Sequence, residues 1–260
     1  MPRRVKAGSH RSTNEAVLAL VVRELAAPQR VLDLGCGRGH LVDRLARHYE
    51  SRGWAPAHYL TGADLDATAF EVPEIPFKAL DIAAELPFAT ASLDTVVCVE
   101  VFEHAPSPYA LLAEIARVLV PGGRLIFSVP NPMHAVSRLQ FLLTGFYHMY
   151  MPPSTEPRNA GRLCGHIMPL PVQYWRYGLR RAGFGGARLV SDRARRGATG
   201  VTAALLPLFA LARAVYLRKV RRYDARVYAE TEGDIREANS WLCLTSRSLV
   251  FEARTGAPSA

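Results

Sequence analysis

Two carboxylates and two histidines could carry chemistry on a hydroxyl group. Glu100, Glu103 and His104 form the pattern E-x-x-E-H, and His166 follows on a later segment. A positioned imidazole removes an acceptor proton and contributes about 10²–10⁴ in rate. The same four side chains offer ligands for a divalent cation, which would lower the pKa of a bound hydroxyl. We predict His104 and His166 as catalytic without a metal; a metal site at all four residues and a structural role are the alternatives.

A glycine-rich turn follows a short apolar segment. After residues 31–34, which include Asp33, glycines occupy positions 35, 37 and 39. Glycines there let the backbone turn sharply and approach a ligand closely. Their G-x-G-x-G spacing differs from the G-x-G-x-x-G of dinucleotide phosphate sites. The turn therefore favours an adenosine with a charged amino-acid tail over a pyrophosphate.

These residues need a framework that brings them together, and the apolar pattern predicts alternating strands and helices. A helix begins at the capping-box pattern Ser12 to Glu15 and ends near residue 26. Strands separated by helices imply right-handed crossovers and a doubly wound sheet. Strands are predicted over 31–34, 59–63, 77–80, 95–101, 125–129, 187–191 and 249–253, with helices over 40–49, 108–120, 135–143 and 172–182.

The order of these features resembles the class I S-adenosylmethionine-dependent methyltransferases. Asp64 ends the second strand, Asp81 follows the third, and residues 117–125 look like the segment that leads into the fifth. The resemblance implies S-adenosylmethionine as cofactor. It implies cofactor-binding roles for Asp33, Gly35, Gly37, Gly39, Asp64, Leu65, Asp81, Ile82 and Glu100. The E-x-x-E-H pattern is similar to ubiquinone-biosynthesis-type O-methyltransferases and to small-RNA 2′-O-methyltransferases.

The resemblance also implies a fold. We expect one α/β domain over residues 1–260, with a Rossmann-like class I methyltransferase fold. Its mostly parallel seven-stranded sheet should have helices on both faces. The core is expected over about 12–192 plus 247–254, with its last two strands antiparallel and a helical insert or lid at about 195–246 between them.

Charge and cysteine content restrict the function classes. The net charge is +9, and residues 151–260 carry 18 basic and 8 acidic residues. The arginine-rich composition means that charge alone does not choose a partner. No C-x-x-C pair joins Cys36, Cys98, Cys164 and Cys243, so we expect reduced thiols and no zinc ribbon. We found no secretory signal, and the apolar run 201–212 is shorter than the about 20 residues of a spanning helix. A cytoplasmic protein is expected.

The insert leaves two interpretations open. An apolar helical face followed by the basic cluster at 218–222 suits peripheral contact of residues 201–222 with an anionic membrane at its inner face. A lid over the cleft or a dimer surface is the alternative. The leading function is O-methylation of a small or lipid-like acceptor. The others are RNA 2′-O-methylation with a metal, or a non-catalytic assembly factor. Nucleic acid is not the favoured partner, because no separate RNA-binding module is recognised.

Overall fold

The computed structural model describes residues 5–152, 154, 156 and 165–256, and Cys164 lies outside them. One seven-stranded sheet runs through the molecule in the order β3-β2-β1-β4-β5-β7-β6. The strands are β1 (Val31–Leu34), β2 (Leu60–Asp64), β3 (Phe77–Ala79), β4 (Leu93–Val99), β5 (Leu119–Pro130), β6 (Phe184–Ser191) and β7 (Ser248–Thr255). The helices are α1 (Arg11–Arg23), α2 (His40–Ser51), α3 (Pro108–Val118), α4 (Ala135–Thr144), α5 (Val172–Arg181), α6 (Arg196–Tyr223), α7 (Ala225–Ala238) and α8 (Trp241–Thr245).

The predicted fold class is confirmed. Strands β3, β2, β1, β4 and β5 pair in parallel, and β7 lies antiparallel between β5 and β6. The predicted antiparallel hairpin is therefore formed by β6 and β7, with α6, α7 and α8 between them in the chain. The division into core and insert stays a prediction.

The central strands are mostly apolar because both faces of the sheet are covered. All four residues of β1 are buried; Leu32 and Leu34 belong to one core cluster and Val31 to the other. Leu32 packs in the cluster around Trp175, where Phe127 of β5 stacks on Phe251 of β7 with ring centroids 4.7 Å apart. Val31 packs in the cluster formed with α1 and α2. The sheet is thus a rigid platform whose strand ends hold the site.

Two local predictions were wrong. The capping box from Ser12 to Glu15 is not formed, because α1 begins at Arg11 and the imidazole of His10 accepts the Ser12 N–H instead. The Glu15 carboxylate accepts from Arg44 at 2.6 Å. The fifth strand is longer than predicted: β5 starts at Leu119, which pairs with Leu93 ahead of a register shift. Its Pro-Gly-Gly segment therefore lies within the strand rather than ending a helix.

A buried ion pair joins β5 to β7. The Glu252 carboxylate accepts from Arg124 at 2.7 Å and from Arg23 at 2.8 Å, and Arg124 is 2% exposed. Burial acts to raise the pKa of Glu252, but the hydrogen bonds from Arg124 and Arg23 outweigh it, and the pKa is lowered. A lowered folded-state pKa means that the charged form stabilises the fold above the unfolded-state pKa of about 4.3, and that this is lost as pH falls.

Glu252→Gln is expected to lower the free energy of unfolding by about 2 kcal/mol at neutral pH, because Arg124 loses its charged acceptor. The difference from wild type should shrink between about pH 5 and pH 3, where the wild-type carboxylate is itself protonated. Urea unfolding at several pH values measures this. The control is Glu232→Gln, in an exposed pair with Arg236, which should behave as wild type. A Glu252→Gln deficit that does not change with pH would contradict the assignment.

Helix α6 is the exposed part of the insert. Within it only Ala198, Thr202 and Leu217 are buried. Among the described residues it is the one helix whose length and composition would allow it to cross a membrane, and 11% of its apolar stretch is buried. Sequence analysis predicted no spanning helix because the apolar run 201–212 is shorter than about 20 residues, but α6 extends beyond that run at both ends and continues through Pro207. Helix α7 is held to α5 by Arg176–Glu237 and Arg180–Asp234 pairs.

Candidate functional site

A cavity of about 490 Å³, here called the strand-end cavity, lies at the carboxyl ends of β1 and β4. The carboxyl ends of parallel strands are where α/β sheets bind ligands. Six of the predicted site residues line it: Asp33, Gly35, Gly37, Glu100, His104 and His166. Its remaining walls come from the segment before α1, the start of α2, Met149 and Arg247. The cavity therefore joins the glycine turn to the E-x-x-E-H segment.

The glycine turn requires glycine for two different reasons. Gly35, Gly37 and Gly39 all have φ between +50° and +88°, a region that disfavours side chains. A Cβ on Gly35 would lie 2.3 Å from Cγ2 of Val101, so this turn packs directly on the segment after β4. A Cβ on Gly37 would meet no atom within 4 Å. Gly35 thus permits close packing, whereas Gly37 leaves open space in the cavity wall.

Asp64 stands beside this turn at the end of β2. Its Oδ2 accepts the Gly37 N–H at 2.8 Å, which connects β2 to the glycine turn. Asp81 follows β3, and its Oδ1 accepts the Ala83 N–H at 2.9 Å. The strand-end cavity is not lined by Gly39, Asp64, Leu65, Asp81 or Ile82. These five residues lie around the turn and at the adjacent ends of β2 and β3.

Asp33 is a buried carboxylate in the cavity wall. Its Oδ2 has no hydrogen-bond partner within the described chain. Burial raises the pKa of Asp33 to about 7, and the nearby Asp64 charge adds to this. A cationic ligand group would offset both effects and restore the charged form. Burial likewise raises the pKa of the neighbouring Cys36 thiol, so Cys36 remains a thiol rather than a nucleophile.

Glu100 is turned towards the last strand. It adopts φ +54°, and its Oε1 accepts from Arg247 at 3.1 Å and from the Ser248 hydroxyl at 3.0 Å. Arg247, which lines the cavity, was missed by sequence analysis. No motif surrounds it, and it lies 147 residues from its partner. Only the antiparallel return of β7 beside β5 could have indicated the contact.

Glu103, His104 and His166 come together, and Glu100 does not join them. Each of the three offers a ligand atom within 4.8 Å of the other two. Nδ1 of His104 lies 3.0 Å from the Gly165 carbonyl, and Nδ1 of His166 lies 2.9 Å from the Met149 carbonyl. A carbonyl only accepts, so both Nδ1 atoms carry the proton. Both Nε2 atoms are therefore lone-pair acceptors.

Among the described residues, the Glu103 carboxylate has no polar neighbour at hydrogen-bond distance. It is fully buried, both oxygens lack hydrogen bonds in the part of the chain described, and Oε1 lies 4.0 Å from His166 Nε2. Burial raises the pKa of Glu103 and lowers that of His166. The Glu103 carbonyl accepts the Ile167 and Met168 N–H groups, which fixes the His166 segment over the site. An unpaired buried carboxylate is costly unless a proton or cation satisfies it.

The chain is similar to known methyltransferases in both sequence and structure. Residues 32–127 match a family described as methyltransferase domain. The chain is 34% identical over 113 residues to a ubiquinone biosynthesis O-methyltransferase of Paracidovorax citrulli, covering 40% of this chain and 44% of that protein. It is 28% identical over 173 residues to the protein of that name in Acinetobacter baumannii, covering 57% and 72%. A SAM-dependent methyltransferase structure from Archaeoglobus fulgidus superposes with a TM-score of 0.55 at 17% identity, over 93% and 94% of the two chains.

Proposed function

We propose that the chain, whose residues 32–127 match a methyltransferase domain, is a class I S-adenosylmethionine-dependent methyltransferase that methylates a hydroxyl oxygen of a small or lipid-like acceptor. The observation that supports this most directly is the pair of histidines beside the strand-end cavity. Their Nε2 atoms are free to accept a proton. The relatives named above as O-methyltransferases support the same choice of nucleophile.

The strand-end cavity and the adjacent ends of β2 and β3 would together hold S-adenosylmethionine, which supplies an activated methyl group when bound. Asp33 offers an unpaired buried carboxylate oxygen to the cationic amino group. Gly35, Gly37 and Gly39 give the open turn that an adenosine and its tail require. Asp64 and Leu65 would hold the ribose side, and Asp81 and Ile82 the adenine side. Glu100 lines the same cavity and would complete its wall on the cofactor side.

His166 and His104 would act on the acceptor. Because Nδ1 of each imidazole donates its hydrogen to a backbone carbonyl, Nε2 is left unprotonated and would serve as the base. The proton of the acceptor hydroxyl would pass to Nε2 as its oxygen becomes the nucleophile. Holding the acceptor oxygen in line with the methyl group would supply most of the remaining reduction of the activation barrier. For well-oriented reactants this reduction is up to about 7–11 kcal/mol.

A second candidate role for the same side chains is to bind a divalent cation. The observation that favours it is the buried Glu103 carboxylate, which lacks a partner and stands with two imidazoles whose Nδ1 atoms are held by carbonyls. That arrangement is common around metal-binding histidines. Glu103, His104 and His166 would hold the ion, and its positive charge would favour the deprotonated acceptor. Glu100 is engaged by Arg247 and would not be a ligand.

We further propose that α6 lies in an anionic membrane interface. Leu208, Leu211 and Val215 are spaced along one helical face and are more than half exposed. Arg218 and Arg222 continue that face. An apolar stripe with basic residues suits a helix in the plane of the interface. Packing of Thr202 and Leu217 against the protein supports this peripheral placement over a spanning one.

Wild-type protein is expected to sediment with vesicles that contain anionic lipid and much less with neutral vesicles, because each basic residue near the surface contributes about 1 kcal/mol. Leu208→Glu with Leu211→Glu should abolish sedimentation by removing the apolar stripe. The control is Val227→Glu on α7, where an exposed apolar residue lies off the stripe. Equal loss with the control, or equal sedimentation with neutral vesicles, would refute the membrane assignment.

The enzyme assignment is tested by calorimetry with S-adenosylmethionine and S-adenosylhomocysteine. Micromolar binding is expected, and Asp64→Ala should weaken it at least about tenfold, because the Gly37 amide and the ribose side lose a charged acceptor. Glu50→Ala, at the exposed end of α2, is the control that should leave binding unchanged. No binding at millimolar cofactor would refute the enzyme and favour an assembly factor. If the cofactor binds, methyl transfer is sought with alkylphenols and alkylcatechols as acceptors.

A further inference from the structure

A second cavity adjoins the strand-end cavity. It has a volume of about 650 Å³, here called the arginine cavity, and its walls are His148, Arg193, Ala194, Arg195, Arg196 and Arg247. Arg247 lines both cavities. The neighbouring residues His148 and Met149 line one cavity each. The two spaces therefore meet at the side of the strand-end cavity where His166 stands.

Backbone pairing explains why the arginines face one another. Ala194 forms an antiparallel bridge with Ser246, and the Arg193 carbonyl accepts the Arg247 N–H at 3.1 Å. Residues opposite each other across an antiparallel pair point to the same side, as do residues two apart. Arg193, Arg195 and Arg247 thus share one side of this pair. Like charges directly opposite each other are destabilising unless something neutralises them.

The protein itself supplies too little negative charge. Within the described residues no carboxylate lies within 4 Å of the guanidinium of Arg193, Arg195 or Arg196. Arg247 pairs with Glu100, and the one side chain that the Arg195 guanidinium contacts within the described residues is His134, whose Nε2 lies 3.5 Å from it. The nearby Asp192 carboxylate is occupied by the N–H groups of residues 193 and 248 and by the Thr13 hydroxyl.

The positive charge of the arginines contributes to lowering the pKa of two neighbouring histidines. Burial lowers the pKa of His148, and the charges of Arg195 and Arg247 lower it further. Burial lowers the pKa of His134 to about 3, with Arg195 as the next cause. Both histidines are therefore uncharged near neutral pH, and neither changes the net positive charge that the arginines give the cavity. Among the described residues, no carboxylate is paired with the guanidinium groups of Arg193, Arg195 and Arg196.

We propose that the arginine cavity binds an anionic oxygen group, a phosphate or carboxylate, carried by the methyl acceptor. Guanidinium groups bind such groups through paired, charge-assisted hydrogen bonds. Binding there would place the rest of the acceptor in the strand-end cavity past Arg247, beside His166. The inference rests on the proposed function, because it assigns the anionic group to the acceptor of that reaction.

The test measures binding of inorganic phosphate and of monomeric dodecyl phosphate by calorimetry at constant ionic strength. Arg193→Gln with Arg196→Gln should weaken both at least about tenfold, since two charge-assisted contacts are lost. Both arginines are exposed, so the fold should be retained. Arg52→Gln with Arg188→Gln removes the same charge at exposed positions elsewhere, and this control should bind as wild type. S-adenosylhomocysteine affinity is measured on every variant.

The outcomes separate the possible failures. Tighter binding of dodecyl phosphate than of phosphate would support the proposal and identify a lipid headgroup as the source, and equal binding would support it with a free anionic group. Equal weakening in both double variants, or absence of phosphate binding in a wild type that binds S-adenosylhomocysteine, would overturn the anion site alone. A wild type that binds no S-adenosylhomocysteine would refute the proposed function instead.

Discussion

His166→Ala is expected to lower kcat by about 10²–10⁴ while the affinity for S-adenosylmethionine stays within about twofold, because the lost group acts on the acceptor. The imidazole is set in place by its Nδ1 contact with the Met149 carbonyl, and its Nε2 faces the Glu103 carboxylate. The measurement is single-turnover methyl transfer to an alkylcatechol, with cofactor affinity taken from calorimetry. His58→Ala is the control that should retain full activity, because His58 is exposed and ends the short 3-10 helix Pro56–His58 before β2.

The same assay separates the two uses of this cluster. If His166 is a base, wild-type activity should survive dialysis against a chelator, and Glu103→Gln should lower kcat much less than His166→Ala. If the cluster holds a cation, chelation should abolish activity, a divalent ion should restore it, and both variants should fail equally. A His166→Ala variant with wild-type kcat would contradict both uses and leave the cluster with a structural role.

The sequence was sufficient for the sheet because its buried strands carry their own signal. Residues 31–34 and the later strand around Val96 are almost wholly apolar, as strands covered on both faces must be. The glycine turn at 35, 37 and 39 could be predicted as well, because each of these glycines adopts a positive φ that other residues disfavour. These features depend on local sequence, so a pattern can predict them.

The parts of the site that escaped prediction depend on distant residues. Arg247 reaches Glu100 only because β7 returns antiparallel beside β5, and no spacing in the chain encodes that contact. The arginine cavity likewise depends on the pairing of Ala194 with Ser246. A count of basic residues showed the excess in the second half of the chain. It could not show which arginines lack a carboxylate.

Gly35→Ala is expected to weaken S-adenosylmethionine binding at least about hundredfold, the second large effect. Alanine at φ +74° costs about 1–2 kcal/mol, and the added Cβ would stand 2.3 Å from Val101 Cγ2, an overlap that costs about 1–3 kcal/mol more. The turn must move to relieve that overlap. Moving it carries Gly37, and with it the cavity wall and the amide bonded to Asp64, away from the cofactor.

Gly53→Ala isolates the backbone cost from the packing cost. Gly53 has the same φ of +74°, but a Cβ there would meet no atom within 4 Å. Gly53→Ala should therefore lose only the backbone cost of about 1–2 kcal/mol of unfolding free energy and bind cofactor as wild type. If the overlap is the cause, Gly35→Ala combined with Val101→Ala should recover part of the lost affinity, because the clashing methyl is removed and the two changes are coupled. Strictly additive losses in that pair would show that the turn fails through backbone strain alone, and the close packing of Gly35 on the segment after β4 would then have no part in holding the cofactor.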